Sequence, residues 1–159
     1  MRTALFPGSF DPFHNGHLEV VERSARLFDE VVVAAIRNPQ KSEALFSLAE
    51  RKEMLLESFA HVPNVSVDSL SVLVVDLARN LEATAIVRGL RAVSDFENEL
   101  QMAQMNRALS GIETVFIPTG PSNSFIASRL LREVARFGGD VSTMVPAPVA
   151  KRLAEKFAT

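Results

Sequence analysis

Short apolar runs rich in branched residues alternate with segments of helical period along the whole chain. The apolar runs predict strands at residues 3–6, 31–36, 65–67, 85–87 and 115–117. The segments between and after them predict helices at residues 16–28, 47–60, 73–81, 95–109, 128–137 and 149–157. Two of these helix starts carry a capping-box pattern, Ser47 with Glu50 and Ser94 with Glu97.

The alternation of strands and helices predicts an α/β fold. We expect a single doubly wound (Rossmann-like) parallel five-stranded sheet with helices on both faces, because crossover helices cover both sides of a parallel sheet. A chain of 159 residues suits one domain, so we expect residues 1–159 to form it. Ligands of such folds bind beyond the carboxyl ends of the strands, where strand order reverses. The loops after Phe6, Ile36, Val87 and Ile117 are therefore the candidate sites.

Composition excludes several classes of protein. The formal net charge of −2 argues against a general nucleic-acid or membrane-surface binder, so we expect neither partner. The absence of cysteine excludes disulfides, thiolate metal sites and a cysteine nucleophile. The chain has no apolar run long enough for a membrane span and no signal-peptide pattern at its start, so we expect a cytoplasmic location.

The loop after the first predicted strand contains two of the three histidines, His14 and His17. Asn15 is the predicted N-cap of the following helix, and Gly16 would let a phosphate approach the first turn. The free amides and positive end of a helix start bind anions, and His17 could point its ring at the same anion. The alternatives are a buried or capping histidine, and a zinc site with Asp11, which lacks a third protein ligand. A P-loop is excluded because no glycine-rich stretch ends in Lys-Ser or Lys-Thr.

Basic and small polar residues follow the other strands. Arg88 and Arg91 flank Gly89 and Leu90 after the fourth strand, where a phosphate chain would lie, although surface arginines are common. Lys41 follows the second strand, and a serine-rich segment at residues 122–128 follows the fifth. No serine has an identifiable base partner, so direct attack by a phosphorylated acceptor on a nucleotide is the simplest chemistry for such a site.

The quoted motifs resemble those of a known family. His14-Asn15-Gly16-His17 resembles the HxGH signature of the nucleotidyltransferase superfamily, and residues 7–12 and 88–107 resemble the phosphopantetheine adenylyltransferase family. The resemblance implies transfer of the adenylyl group of ATP to 4'-phosphopantetheine, which gives dephospho-coenzyme A and pyrophosphate in coenzyme A synthesis. It also implies a homohexamer, and Mg²⁺ is expected to accompany ATP without a metal site of the protein itself.

The resemblance also implies roles for individual residues. The implied catalytic residues are His17, Lys41 and Arg91. The implied acceptor-binding residues are Ser9, Lys41, Val74 and Arg88. The implied ATP-binding residues are Ser9, Phe10, His17, Gly89, Leu90, Arg91, Glu99, Asn123, Ser124, Phe125, Ile126, Ala127, Ser128 and Arg129. The chain departs from the family at Ala127 and Arg129, where serines are usual.

Two other functions are compatible with the sequence. One is another HxGH nucleotidyltransferase that acts on a different phosphorylated acceptor, such as a nicotinamide mononucleotide or a polyol phosphate. The other is a non-catalytic nucleotide-binding regulator built on the same fold, which decay of the HxGH motif or loss of Lys41 would favour. Neither change is present in this sequence.

Overall fold

The computed structural model describes residues 1–37, 43–70 and 73–158, with the backbone alone at Leu70. The strands are β1 (Thr3–Gly8), β2 (Glu30–Ile36), β3 (Val65–Leu70), β4 (Ala85–Leu90) and β5 (Glu113–Pro118). The helices are α1 (Asn15–Ala25), α2 (Leu48–Ser58), α3 (Val74–Asn80), α4 (Val93–Ser110), α5 (Ser128–Arg136) and α6 (Ala147–Phe157). Every predicted strand and helix is present.

Over these residues the strands form one sheet of five parallel strands in the order β3-β2-β1-β4-β5. The chain builds outward from β1 to β3, crosses back over the sheet, and continues from β4 to β5. Strand order therefore reverses between β1 and β4, and the crevice at this point is the expected ligand site of the fold. The predicted doubly wound α/β fold is confirmed.

The two faces of the sheet carry separate apolar clusters, because successive residues of a strand point to opposite sides. Phe6, Val33 and Val87 pack with residues of α1, α2, α5 and α6 in the larger cluster. Leu5 and Ile86 pack with residues of α3 in the smaller one. Helix α4 lies beside α3, β4 and β5. The prediction that helices cover both faces is confirmed.

The two predicted capping boxes have different outcomes. At α2 the prediction is confirmed, since the hydroxyl of Ser47 accepts from the amide of Glu50 at 3.1 Å and the carboxylate of Glu50 accepts from the amide of Ser47 at 2.7 Å. At α4 the prediction is wrong, because the N-cap is Ala92, which makes no side-chain capping bond. The chain stays extended only as far as Ala92, so Ser94 already lies inside the helix and cannot cap it.

None of the helices in the described part of the chain has both the length and the apolar character that crossing a membrane requires.

Candidate active site

A cavity of 510 Å³ lies at the carboxyl ends of β1 and β4, where strand order reverses. Its volume is within the usual range for small-molecule sites. Ten of the predicted site residues line it: Ser9, Phe10, His17, Arg88, Gly89, Arg91, Glu99, Ala127, Ser128 and Arg129. The strand-end loops after β1, β4 and β5 therefore meet at one hollow, as the fold class predicts.

The two histidines of the first loop form the start of α1. His14 is the N-cap, and its Nδ1 accepts from the amide of Gly16 at 3.0 Å, while Nδ1 of His17 accepts from the amide of His14 at 3.2 Å. The predicted N-cap at Asn15 is wrong, since Asn15 is the first helical residue and its side chain donates to the carbonyl of Thr143. A Cβ at position 16 would lie 2.9 Å from Cε1 of His14, so this capping arrangement requires glycine.

Both imidazole rings are neutral near pH 7. Burial, together with a smaller contribution from the nearby charge of Arg91, lowers the pKa of His14 to about 3. Burial also holds the pKa of His17 well below its ordinary value, with smaller contributions from His14, Arg88 and Arg91. Because Nδ1 of His17 accepts a hydrogen bond, the ring proton is assigned to Nε2. His17 can therefore offer an N–H donor to a ligand in the cavity without carrying a charge.

Aromatic side chains hold the His17 ring in place. The ring stacks on His14 with centroids 3.7 Å apart and on Phe13 with centroids 5.5 Å apart. Phe10 meets it edge-on at 5.1 Å, and Phe6 lies at 6.4 Å. A Cβ at Gly8 would lie 2.7 Å from the Phe10 ring, so glycine at this position allows Phe10 to reach His17. The imidazole is thus fixed by packing before any ligand arrives.

Arg88, near the end of β4, and Arg91, directly after it, are each oriented by a carboxylate and a backbone carbonyl. Arg88 donates two hydrogen bonds of 2.8 Å to Glu99, and its Nη1 donates to the carbonyl of Pro7. Arg91 donates to Asp95 at 2.9 and 3.2 Å and to the carbonyl of Ile126 at 2.8 Å. Arg88 is therefore braced against β1, whereas Arg91 is braced against the β5–α5 loop, which we define as residues 119–127.

Two further arginines face the cavity from α5. Arg129 and Arg132 both line it, and neither forms an ion pair with any residue of the described ranges. Arg132 donates to the carbonyl of Asp11, and the hydroxyl of Ser128 donates to the carbonyl of Pro12 at 2.8 Å. Because Arg88 and Arg91 are partly neutralised by their carboxylates, Arg129 and Arg132 contribute most of the positive charge of the cavity.

Several predicted residues lie outside the cavity lining. Leu90, Asn123, Ser124, Phe125 and Ile126 do not line it, and Ile126 is buried in the larger core cluster. Val74 packs against the smaller core cluster at the start of α3. Lys41 lies outside the described residues. The roles that the resemblance implies for these residues stay predictions.

Sequence reasoning did not assign four polar residues that line the cavity: Asp95, Asn98, Thr119 and Arg132. Thr119 directly follows β5, where the fold class already directs attention, so this signal was available in the sequence. Asp95 pairs with Arg91, but Arg91 precedes the N-cap of α4, so the spacing of a helical turn does not indicate the pair. Nothing in the local pattern singles out Asn98.

Asp11, the residue considered as a zinc ligand, has a structural role. Its carboxylate is buried and accepts from the amides of Leu45 and Phe46 at 2.8 and 2.9 Å. The nearby guanidinium of Arg51 donates to the carbonyls of Ser9 and Ile36 at 2.6 and 3.1 Å. Asp11 and Arg51 together therefore tie the first loop to the segment that leads into α2.

The chain is similar to known nucleotidyltransferases over most of its length. A family model described as cytidylyltransferase-like matches residues 5–134. A phosphopantetheine adenylyltransferase of Synechococcus elongatus is 52% identical over 97% of this chain and 93% of its own length. Proteins of the same name from Alkaliphilus oremlandii and Streptomyces coelicolor are 50% and 51% identical, over 99% and 98% of this chain and 100% and 98% of their own lengths.

A solved structure from Vibrio parahaemolyticus, assigned to a nicotinate-nucleotide adenylyltransferase, has the same fold. It superposes with a TM-score of 0.73 and covers 100% of this chain and 98% of its own, at 18% identity. The predicted family and the predicted enzyme class, a nucleotidyltransferase, are confirmed by the close relatives. This chain belongs to the phosphopantetheine adenylyltransferase family.

Proposed function

We propose that this enzyme transfers the adenylyl group of ATP to 4'-phosphopantetheine, giving dephospho-coenzyme A and pyrophosphate. The observation that carries the proposal is the meeting of His17, Arg88 and Arg91 at one cavity of 510 Å³ in a chain about half identical to named phosphopantetheine adenylyltransferases. The cavity has donors and cations on three walls, as binding of two phosphorylated substrates requires.

The proposed reaction is a direct in-line displacement. A phosphate oxygen of the acceptor forms a bond to the α-phosphorus of ATP, the bond from that phosphorus to the α–β bridging oxygen breaks, and pyrophosphate leaves with the electron pair. The described residues support this route, because the Ser128 hydroxyl at the cavity is already donated to the Pro12 carbonyl and is not paired with a base. The protein's contribution is then positioning and stabilisation of charge.

His17 is proposed to stabilise the charge that develops at the α-phosphate. Its lowered pKa keeps the ring neutral, so it acts as an N–H donor and does not transfer its proton. Packing against Phe10, Phe13 and His14 keeps the donor at one position, which avoids reorganisation during the reaction. A fixed neutral donor is most effective where charge appears only in the transition state.

The two substrates are proposed to occupy opposite sides of the cavity. Ser9 and Arg88, with Lys41 from the segment after β2, hold the acceptor phosphate, and Val74 contacts the pantetheine arm. Phe10 and the residues from Gly89 to Arg91 hold ATP together with Glu99 and the segment 123–129. The bracing of Arg88 against β1 and of Arg91 against the β5–α5 loop supports this division.

Mg²⁺ is proposed to enter with ATP, bound by phosphate oxygens and water. Within the described ranges no cluster of three His, Asp or Glu side chains is suited to a metal ion. Of the three carboxylates that line the cavity, Asp95 and Glu99 are each paired with an arginine, and Asp11 accepts from two backbone amides. This donor set fits a metal that relies on the substrate for its ligands. When bound, the metal would neutralise part of the triphosphate charge.

A homohexamer in the cytoplasm is proposed as the working form. Helix α4 exposes apolar side chains, among them Val93 at 78% and Met105 at 57%. Helix α5 exposes a second apolar row, Leu130, Val134 and Phe137. Two separate apolar faces are what an assembly with two kinds of interface needs, and exposed patches of this kind mark protein contacts. The sequence without cysteine suits a reducing compartment.

The proposed reaction is tested by measuring pyrophosphate release with a panel of acceptors and nucleotides. We expect turnover with ATP and 4'-phosphopantetheine, and little with nicotinamide mononucleotide, a polyol phosphate or CTP. Faster turnover with another acceptor would assign the chain to another HxGH reaction. Tight ATP binding without turnover on any acceptor would instead indicate a nucleotide-binding regulator.

A further inference from the structure

Glu19 connects the helix that carries His17 to the loop on the opposite wall of the cavity. It lies two residues after His17 on α1, with 22% of its side chain exposed. One carboxylate oxygen accepts from the amide of Gly120 at 2.9 Å, and the other accepts from Nδ2 of Asn123 at 2.9 Å. Both partners belong to the β5–α5 loop, and Glu19 itself does not line the cavity.

The backbone around this carboxylate is shaped to receive it. A Cβ at position 120 would lie 2.9 Å from Oε1 of Glu19, so a side chain at this position would force the carboxylate to shift. Arg23 lies one turn further along α1, and its Nη1 is 3.5 Å from Oε1 of Glu19. The same Nη1 donates a hydrogen bond of 2.6 Å to the carbonyl of Pro118. The carboxylate, its arginine and the two loop donors therefore form one polar contact between α1 and the end of β5.

Hydrogen bonds continue this contact through the loop to the cavity. The amides of Asn123 and Ser124 both donate to the carbonyl of Gly120 at 3.0 Å, and the amide of Ile126 donates to the carbonyl of Asn123 at 3.1 Å. The carbonyl of Ile126 in turn accepts from Arg91 at 2.8 Å. A displacement of the loop at Gly120 would thus move the group that orients Arg91.

We infer that Glu19 is a positioning residue for the nucleotide side of the site. It holds the β5–α5 loop against α1, so that Arg91 and the start of α5 keep a fixed distance from His17. Glu19 acts through the loop without touching either substrate. The inference rests on the proposed function for its kinetic test, but its effect on ATP binding can be measured without any acceptor.

The test compares Glu19→Ala and Glu19→Gln with the wild-type enzyme. We expect Glu19→Ala to raise the KM for ATP by about tenfold, the size of effect that losing a hydrogen bond to a charged group produces. The KM for the acceptor should change by no more than about twofold, because the Arg88 side is braced against β1. Glu19→Gln keeps one acceptor oxygen for Gly120 and should recover part of the ATP affinity.

Glu22→Gln is the matched control, because Glu22 lies on the same helix and pairs with the exposed His61 at 2.7 Å. It should leave both KM values unchanged. A double variant, Glu19→Ala with Arg23→Ala, should bind ATP no more weakly than Glu19→Ala alone, since both changes open the same contact between α1 and the end of β5. Equal changes in the two KM values, or additive effects in the double variant, would overturn the inference.

Calorimetric titration with ATP separates this inference from the proposed reaction. If the wild type binds ATP but turns over no acceptor, the proposed function fails. The role of Glu19 is then still tested by comparing the dissociation constants for ATP of the wild type and the Glu19 variants. If Glu19→Ala does not fold, as judged by its thermal unfolding, Glu19→Gln, which keeps the size of the side chain, takes its place in the comparison of ATP affinity. Unchanged ATP affinity in the folded variant would then contradict the role of Glu19.

Discussion

The first loop, residues 9–14, and the β5–α5 loop both contribute to the cavity lining but are held by different forces. Phe10, Asp11, Phe13 and His14 of the first loop are at most 6% exposed, and two of the four belong to the main apolar cluster. In the β5–α5 loop, Phe125 is 61% exposed, and the contact to α1 consists of hydrogen bonds to Glu19. The first loop is largely part of the core, whereas the second places Ile126 in the core and is joined to α1 by hydrogen bonds.

This difference separates two tasks of the site. The group proposed to stabilise the transition state is packed into the core, where its geometry depends on the fold as a whole. On the nucleotide side, Arg91 and the β5–α5 loop are positioned by partly exposed hydrogen bonds. Such bonds are easier to open and to alter than core packing. The nucleotide side should therefore tolerate substitution better than the histidine side, and the following variants test this expectation.

The largest effect is expected from His17→Ala. It removes the fixed donor and should lower kcat by about 10²- to 10³-fold, the usual result of losing one preorganised donor. Steady-state kinetics with both substrates measure the change, and His61→Ala, which alters an exposed histidine, is the control. A kcat within about twofold of wild type in a folded variant would exclude the role given to His17.

Arg88→Ala and Arg91→Ala should affect different substrates. Loss of charged hydrogen bonds at Arg88 should raise the acceptor KM by about ten- to hundredfold and weaken ATP binding less. Arg91→Ala should do the reverse, because its guanidinium is tied to the β5–α5 loop. The KM values for ATP and for the acceptor, measured for each variant, test this division. The opposite pattern would assign Arg88 to ATP and Arg91 to the acceptor.

His14→Asn should change the pH dependence of stability. Between pH 6.5 and about 3 the unfolded chain binds a proton at His14 that the native state does not, so stability falls as pH decreases through this window. Asparagine keeps a capping oxygen but does not titrate, so the fall should be smaller by up to about 1.4 kcal/mol per pH unit. Urea unfolding of both proteins at pH 5.5 and 4.5 measures this change in the free energy of unfolding. An equal change in the two proteins would show that His14 is protonated in the native state.

The smallest effect is expected from Arg129→Ser, which introduces the serine that is usual in the family. Arg129 is exposed and makes no ion pair with the residues described, so its attraction for the triphosphate is that of a surface charge. The KM for ATP should rise by about two- to fivefold, and the difference should shrink at high salt. A larger, salt-independent loss would mean that Arg129 binds ATP directly in a desolvated contact.

The sequence predicted the features that depend on contacts between residues close together in the chain, and it missed those that depend on distant residues. The capping box at Ser47 is a contact over three residues, and the sequence predicted it correctly. The N-caps of α1 and α4 were wrong, because several residues near each helix start could cap it and the exit from the preceding strand decides between them. Glu19 is separated from Gly120 by a hundred residues, so no local pattern indicates their contact.

The sequence by itself determined the succession of strands and helices along the chain and the strand-end loops from which the site is built, whereas the reversal of strand order between β1 and β4 came from the structure. The succession and the loops follow from periodicity and from the rules of parallel sheets, which act over short stretches of chain. Only the tertiary structure decided that His17 is neutral, that Glu99 and Asp95 pair with the arginines, and that Glu19 secures the opposite wall. Burial and hydrogen bonding between distant segments set these properties, and they exist only once the chain has folded.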